Sequence, residues 1–200
     1  MKLLAFTDLH LSSLAFKKIK SKVKKEKPDL LVCAGDVSIF AEGLDFILNK
    51  LNNLNKKIII VNGNHEEDKV MKKLCLKYNN LIFIHKTYYK ANGCIFLGYG
   101  GEGFSSTDPD FYKTGKQFEK IIKKNKGKKI ILLTHAPPYK TKADLIIDQY
   151  CGNKTLRNFI IKNNIYLNIC GHLHENFGKE DKIKKTKIIN PGPYGKVIKL

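Results

Sequence analysis

Short, predominantly apolar runs alternate along this chain with stretches of helical period. Leu3, Leu4, Ala5 and Phe6 form the first run, and residues 30–33, 58–61, 130–133 and 166–170 form four more. Each is too short for a buried helix and lacks the in–out alternation of a half-exposed strand. That is the signature of strands buried on both faces. Between the runs, Phe16, Ile19 and Val23 follow a helical spacing, with Ser12 or Ser13 as N-cap and Pro28 beyond the end. Leu44, Ile47, Leu48, Leu51 and Leu54 form an apolar stripe, as do Val70, Met71, Leu74 and Tyr78. Phe118, Ile121 and Ile122 mark a fourth helix; Leu156, Phe159 and Ile160 mark a fifth. Further strands fall at residues 81–84, 87–90 and 94–98, and two more at 187–190 and 194–200 around Pro191-Gly192-Pro193. Strand–helix units plus strand clusters predict an α/β fold with two packed sheets flanked by helices.

No repeat, linker or low-complexity tract interrupts the pattern, so residues 1–200 read as one domain. No apolar run approaches the roughly 18 residues that cross a bilayer. The first strand starts at Lys2, which leaves no room for a signal peptide. The five cysteines, at 33, 75, 94, 151 and 170, have no paired spacing and fall mostly in apolar segments. Reduced, buried thiols and a cytoplasmic setting are expected.

The apolar runs share a further property: each ends in a turn rich in metal-binding side chains. The first leads to Asp8 and His10, the second to Gly35-Asp36, the third to Gly63-Asn64-His65-Glu66. The fourth leads to His135 and the fifth to Gly171-His172-Leu173-His174. Five of the six histidines lie in these turns; only His85 stands apart, and it reads as a surface or packing residue. An α/β sheet builds its site at the carboxyl ends of its strands. Mixed carboxylate, carboxamide and imidazole donors suit manganese, iron, zinc, nickel or cobalt better than calcium. The lack of a neighbouring thiolate argues against a structural zinc, and Cys33 and Cys170 belong to the apolar runs themselves.

These five ordered blocks resemble the calcineurin-like metallophosphoesterase superfamily, in its small prokaryotic form without a capping domain. The resemblance implies a four-layer αββα sandwich of two mixed β-sheets flanked by helices. It implies two divalent metal ions, manganese first. Asp8, His10 and His174 would hold one, Asn64, His135 and His172 the other, and Asp36 would bridge them. The nucleophile expected from the family is a hydroxide or water between the metals, attacking a phosphate ester in line. His65 would bind no metal; it would face the phosphate and protonate the leaving oxygen or stabilise charge there. The resulting expectation is a metal-dependent phosphoesterase, with phosphodiesters favoured. Residues 151–157 and Asn190-Pro191-Gly192-Pro193 also resemble the small prokaryotic members. Asp36 is followed by Val37-Ser38-Ile39-Phe40, without the acidic and arginine residues of the phosphoprotein phosphatase branch, which disfavours that activity.

Substrate contacts are expected from Tyr139, Lys140, Lys142, Tyr150 and Lys154, which follow His135 in sequence, with Asn153 capping the fifth helix. Glu66 and Glu67 read as favourable charges at a helix N-terminus, Glu66 having the alternative role of orienting a ligand. The stretch from Gly98 to Gly103 reads as a flexible loop near the site. The net charge of +19 suggests a nucleotide or nucleic-acid substrate. Against that, 36 lysines to one arginine, with 17 asparagines, read as compositional bias. The competing function is a non-catalytic interaction scaffold on the same fold; the complete ligand set together with His65 disfavours it.

Overall fold

The computed structural model describes residues 1–101 and 103–200. Its first half runs β1 (Lys2–Phe6), α1 (Ser13–Glu26), β2 (Leu30–Cys33), α2 (Leu44–Asn52), β3 (Ile58–Ile60), α3 (Asp68–Cys75) and β4 (Leu81–Phe83). Then come β5 (Thr87–Ala91), β6 (Cys94–Tyr99), α4 (Pro109–Lys124), β7 (Lys129–Thr134), β8 (Leu145–Ile146) and β9 (Gln149–Tyr150). The chain closes with α5 (Lys154–Lys162), β10 (Leu167–Ile169), β11 (Glu180–Ile183), β12 (Thr186–Ile189) and β13 (Lys196–Lys199). One sheet has the order β13-β1-β2-β3-β4, parallel except for β13; the other has the order β11-β12-β10-β7-β6-β5. In the second sheet the inner four strands are parallel and the two edge strands antiparallel. The expected sandwich of two mixed sheets is present.

The alternation hidden in the apolar runs now resolves. Leu3, Ala5, Val32, Ile59 and Val61 face Phe96, Ile131, Leu133, Leu167 and Ile169 between the sheets. Leu4, Phe6, Leu31, Cys33, Ile58 and Ile60 point the other way, onto Ile19, Leu48 and Met71 of α1, α2 and α3. Ile95, Leu97, Ile130 and Leu132 pack against Phe111, Phe118 and Phe159 of α4 and α5. Strands at the centre of such a sandwich bury every side chain, so their sequences carry no polar face.

Helix starts follow the expected chemistry. Ser12 caps α1 through Ala15 N–H at 3.2 Å, and Asn153 caps α5 through Leu156 N–H at 2.9 Å. One expectation needs correction. Val70 is exposed rather than core; Tyr78 lies beyond the end of α3 yet packs on the same core as Met71, Cys75 and the partly buried Leu74. The three strands expected within residues 81–98 are present and divide between the sheets. β4 ends one sheet and β5 belongs to the other; the chain changes sheets at His85, whose Nδ1 accepts Gly100 N–H at 2.9 Å. His85 is thus a packing residue, and burial beside Lys86 pushes its imidazole down to about 4. Four of the five cysteines are buried, and burial raises their thiols. Among the described residues no helix is long and apolar enough to cross a membrane.

Candidate metal centre

The ligand turns leave their strands by backbone geometry that few residue types accept. Asp8, His10, Asp36 and His172 all have left-handed φ values, of +52°, +42°, +49° and +71°. For an L-residue this conformation costs roughly 1–2 kcal/mol, and aspartate and histidine tolerate it better than most. The turns are held there by one another: Asp8 N–H donates to Gly35 O at 3.0 Å, His10 N–H to Asp36 O at 3.1 Å, and Gly171 N–H to His135 O at 2.8 Å. Gly63 is required by close approach, since a Cβ there would collide with Asp36 Oδ1. Strain that the surrounding structure over-determines in this way concentrates at functional sites.

All seven expected ligands converge. Asp8, His10 and His174 bring donor atoms within 4.8 Å of one another, and so do Asp36, His135 and His172. His10 Nε2 lies 3.2 Å from His174 Nε2, and His174 Nε2 lies 3.8 Å from Asp8 Oδ1. On the other side, His135 Nε2 is 2.9 Å from Asn64 Oδ1. Asp36 Oδ2 stands between the two groups, 3.8 Å from His10 Nε2 and 3.3 Å from His135 Nε2.

Hydrogen bonds at the back of the rings decide which nitrogen is free. His10 Nδ1 is 3.0 Å from Ser38 O, and His135 Nδ1 is 2.8 Å from Ala34 O. A carbonyl demands a donor, so each Nδ1 carries hydrogen and each Nε2 can present a lone pair to a cation. His65 has the opposite arrangement. Its Nδ1 accepts Phe40 N–H at 3.2 Å, so in the neutral ring Nε2 carries the hydrogen. That Nε2–H sits 3.9 Å from Asp36 Oδ2, at the rim. His65 can therefore group with His10 and Asp36 by distance yet differ from the other imidazoles in chemistry.

The electrostatics fit divalent cations. Burial alone would raise the Asp36 carboxyl, but its hydrogen bond and ion pair with His135 hold it at about 2. Burial alone would lower His135; the same partner raises it to about 9, so a proton supplies the positive charge that a cation would replace. His174 is raised by Asp8, while burial and the neighbouring His135 charge push His172 down to about 4. His172 Nε2 is buried with no hydrogen-bond partner among the described residues. Buried carboxylates facing rings with free lone pairs are what a metal pair needs.

Glu66 does more than its sequence position suggests. It is not the N-cap of α3; that position belongs to Glu67, which makes no side-chain cap bond. Instead, Glu66 is buried and accepts Asp36 N–H at 3.1 Å, Gly63 N–H at 2.8 Å, Ser38 N–H at 2.9 Å and Ser38 Oγ–H at 2.7 Å. It ties the Asp36 turn to the Asn64 turn and fixes Ser38, whose carbonyl orients His10. Glu66→Ala would strand three buried N–H groups, each costing about 1 kcal/mol or more. The expected result is a melting temperature lower by about 6–12 °C and metal affinity weaker by about 10–100-fold, read by thermal unfolding and metal titration.

Beside the ligands lies a cavity of about 280 Å³, lined by Asp36, Asn64, His65, His172 and His174 together with Phe104, Ile146, Leu173 and Glu175. The expected contacts Tyr139, Lys140, Lys142, Tyr150 and Lys154 do not line it. Asp144 draws their loop back on itself by accepting the N–H groups of Lys140, Thr141 and Gly152, and Arg157 holds the Tyr139 and Lys140 carbonyls at 2.9 and 3.0 Å. The glycine-rich stretch does approach the site, with Gly103 beside His172, although Glu102 within it lies outside the described residues. A larger cavity, of about 340 Å³, opens between α4 and α5 and shares no residue with the ligand cluster.

The family model described as calcineurin-like phosphoesterase matches residues 1–176. The uncharacterized protein MJ1162 of Methanocaldococcus jannaschii is 33% identical over 205 residues, spanning 96% of this chain and 88% of that protein. TT1561 of Thermus thermophilus superposes with a TM-score of 0.76 at 16% identity, covering 96% of this chain and 89% of the other. A dimetal phosphatase of Danio rerio superposes with a TM-score of 0.67 at 10% identity, covering 94% and 86%. At those identities the two structures establish the shared fold.

Proposed function

We propose that this chain, which belongs to the calcineurin-like phosphoesterase family, hydrolyses phosphate esters with the help of two divalent cations, phosphodiesters in preference to monoesters. Asp8, His10 and His174 would hold one cation, Asn64, His135 and His172 the other, and Asp36 would serve both, with manganese the favoured metal. The observation that carries the reading is the placement of Asp36 Oδ2 between two imidazoles whose Nδ1–H groups are already spent on backbone carbonyls. When bound, the cations would polarise the phosphoryl group and acidify the attacking water.

The protein's own residues do the rest. Phe40 N–H fixes the hydrogen of the neutral His65 ring on Nε2, and that N–H, facing the space in front of Asp36, would hydrogen-bond to the leaving oxygen and steady the charge that develops there. Glu66 keeps the two ligand turns at constant separation. His174 is exposed, so the centre is open to solvent on that side. The preference for diesters follows from charge: among the described residues lining the cavity none is lysine or arginine. A monoester's second negative charge would meet no side-chain cation there.

Manganese-reconstituted protein should hydrolyse bis(4-nitrophenyl) phosphate with a higher kcat/KM than 4-nitrophenyl phosphate. Activity on neither ester, in protein shown to contain the metal, would refute the proposal.

A further inference from the structure

The lining of the cavity contrasts with the composition of the chain. The chain carries 37 lysines and arginines against 18 acidic residues, yet beyond the ligands and His65 the cavity is lined by Phe104, Ile146, Leu173 and Glu175. Phe104 is 70% exposed, and its ring meets His172 edge-on with centroids 4.6 Å apart. A phenylalanine left this open beside a cavity offers apolar surface to whatever enters. Glu175 follows His174 directly in the turn His174–Asn176 and is also exposed. A chain with excess lysine everywhere else has placed a negative charge, and no positive one among the described lining residues, where the substrate must sit.

Resting on the phosphoesterase reading above, we infer that Glu175 and Phe104 select the substrate: a singly charged phosphodiester with at least one apolar or aromatic ester group. Glu175 repels a dianionic monoester, and more strongly a polyphosphate or polyanion, while tolerating the single charge of a diester. Phe104, backed by Ile146 and Leu173, seats the ester group. On this account the lysine-rich exterior does not reach the bound phosphate, and polymeric nucleic acid is a poor substrate despite the net charge. Phe104 and Glu175 are specificity-determining residues; the chemistry remains with His65 and the metal ligands.

The test uses manganese-loaded full-length wild type, Glu175→Gln, Glu175→Lys, Phe104→Ala and Phe104→Leu. One unit charge across a water-accessible cavity changes the binding of a second charge by about fivefold. Glu175→Gln should therefore raise the ratio of monoester to diester kcat/KM by about fivefold. It should also tighten inorganic phosphate, measured by calorimetry at about pH 8, by a similar factor, and Glu175→Lys should do more. Both gains should shrink as sodium chloride rises from about 0.05 to about 0.5 M, where screening becomes short-ranged. Phe104→Ala should raise KM for bis(4-nitrophenyl) phosphate by about tenfold with a smaller change in kcat, and Phe104→Leu should recover most of it. An active enzyme whose ester ratio and phosphate affinity are unmoved by either Glu175 variant overturns this inference alone. A metal-loaded wild type inactive on both esters overturns the phosphoesterase reading and this inference with it.

Discussion

Asp36→Asn is expected to lower hydrolysis of diesters and monoesters alike by on the order of 10³-fold or more, the largest effect of any single substitution at the centre. The reason is charge rather than shape. Asparagine matches aspartate in volume and can still accept His65 N–H, which Asp36 Oδ1 binds at 3.0 Å. It cannot supply a negative Oδ2 between His10 and His135. Unit charges roughly 4 Å apart interact by about 4 kcal/mol at an effective dielectric of about 20, so two divalent cations repel about four times as strongly. Without a shared carboxylate the pair has too little to hold it together. Asp8→Asn should be milder, because the imidazoles paired with Asp8, those of His10 and His174, lie on one side of the cluster, and its other bonds are to the His172 backbone N–H. Steady-state assays of the two variants, with circular dichroism to confirm folding, check the order. Equal losses would remove the special position given to Asp36.

His65→Ala is expected to keep its metal and lose rate by about 10²–10³-fold, the range for removing one fixed hydrogen-bond donor to developing charge. The loss should depend on the leaving group. A 4-nitrophenolate departs readily without a proton, whereas an alkoxide does not. The variant should therefore be most impaired on an alkyl ester and least on a nitrophenyl ester. A uniform loss across leaving groups would instead mean that His65 steadies charge on the phosphoryl oxygens. Unchanged rates on every ester would show that the ring packing of His65 against Phe40 and His10 is its only role.

The ligand turns were legible because each closes a short apolar run, and a run buried on both faces reads clearly even when it cannot say which residue faces which layer. The converging site followed from residue types in those turns. What failed did so for tertiary reasons. Glu66 looks like a helix-capping charge, because nothing local reveals that its carboxylate turns back to gather N–H groups from Asp36, Ser38 and Gly63. Tyr139 and Lys140 are close to His135 in sequence, but the Asp144 and Arg157 hydrogen bonds that lead their loop aside join residues up to 18 positions apart. Strand β11 has the sequence Glu-Asp-Lys-Ile, the charged face of an edge strand, and shows no apolar run at all. The crossing from β4 to β5 resembles a hairpin until the sheets are known. Phe104 and Ile146 carry no motif and become visible only as walls of a cavity.

Metal content tests the central claim most directly. After dialysis against excess manganese and removal of free ion, elemental analysis of wild-type protein should find two metal ions per chain, and electron paramagnetic resonance should show a spin-coupled pair. Asp36→Asn should lose the coupled signal. One ion per chain without coupling, or none, would contradict the reading of these seven side chains as a shared seat for two cations.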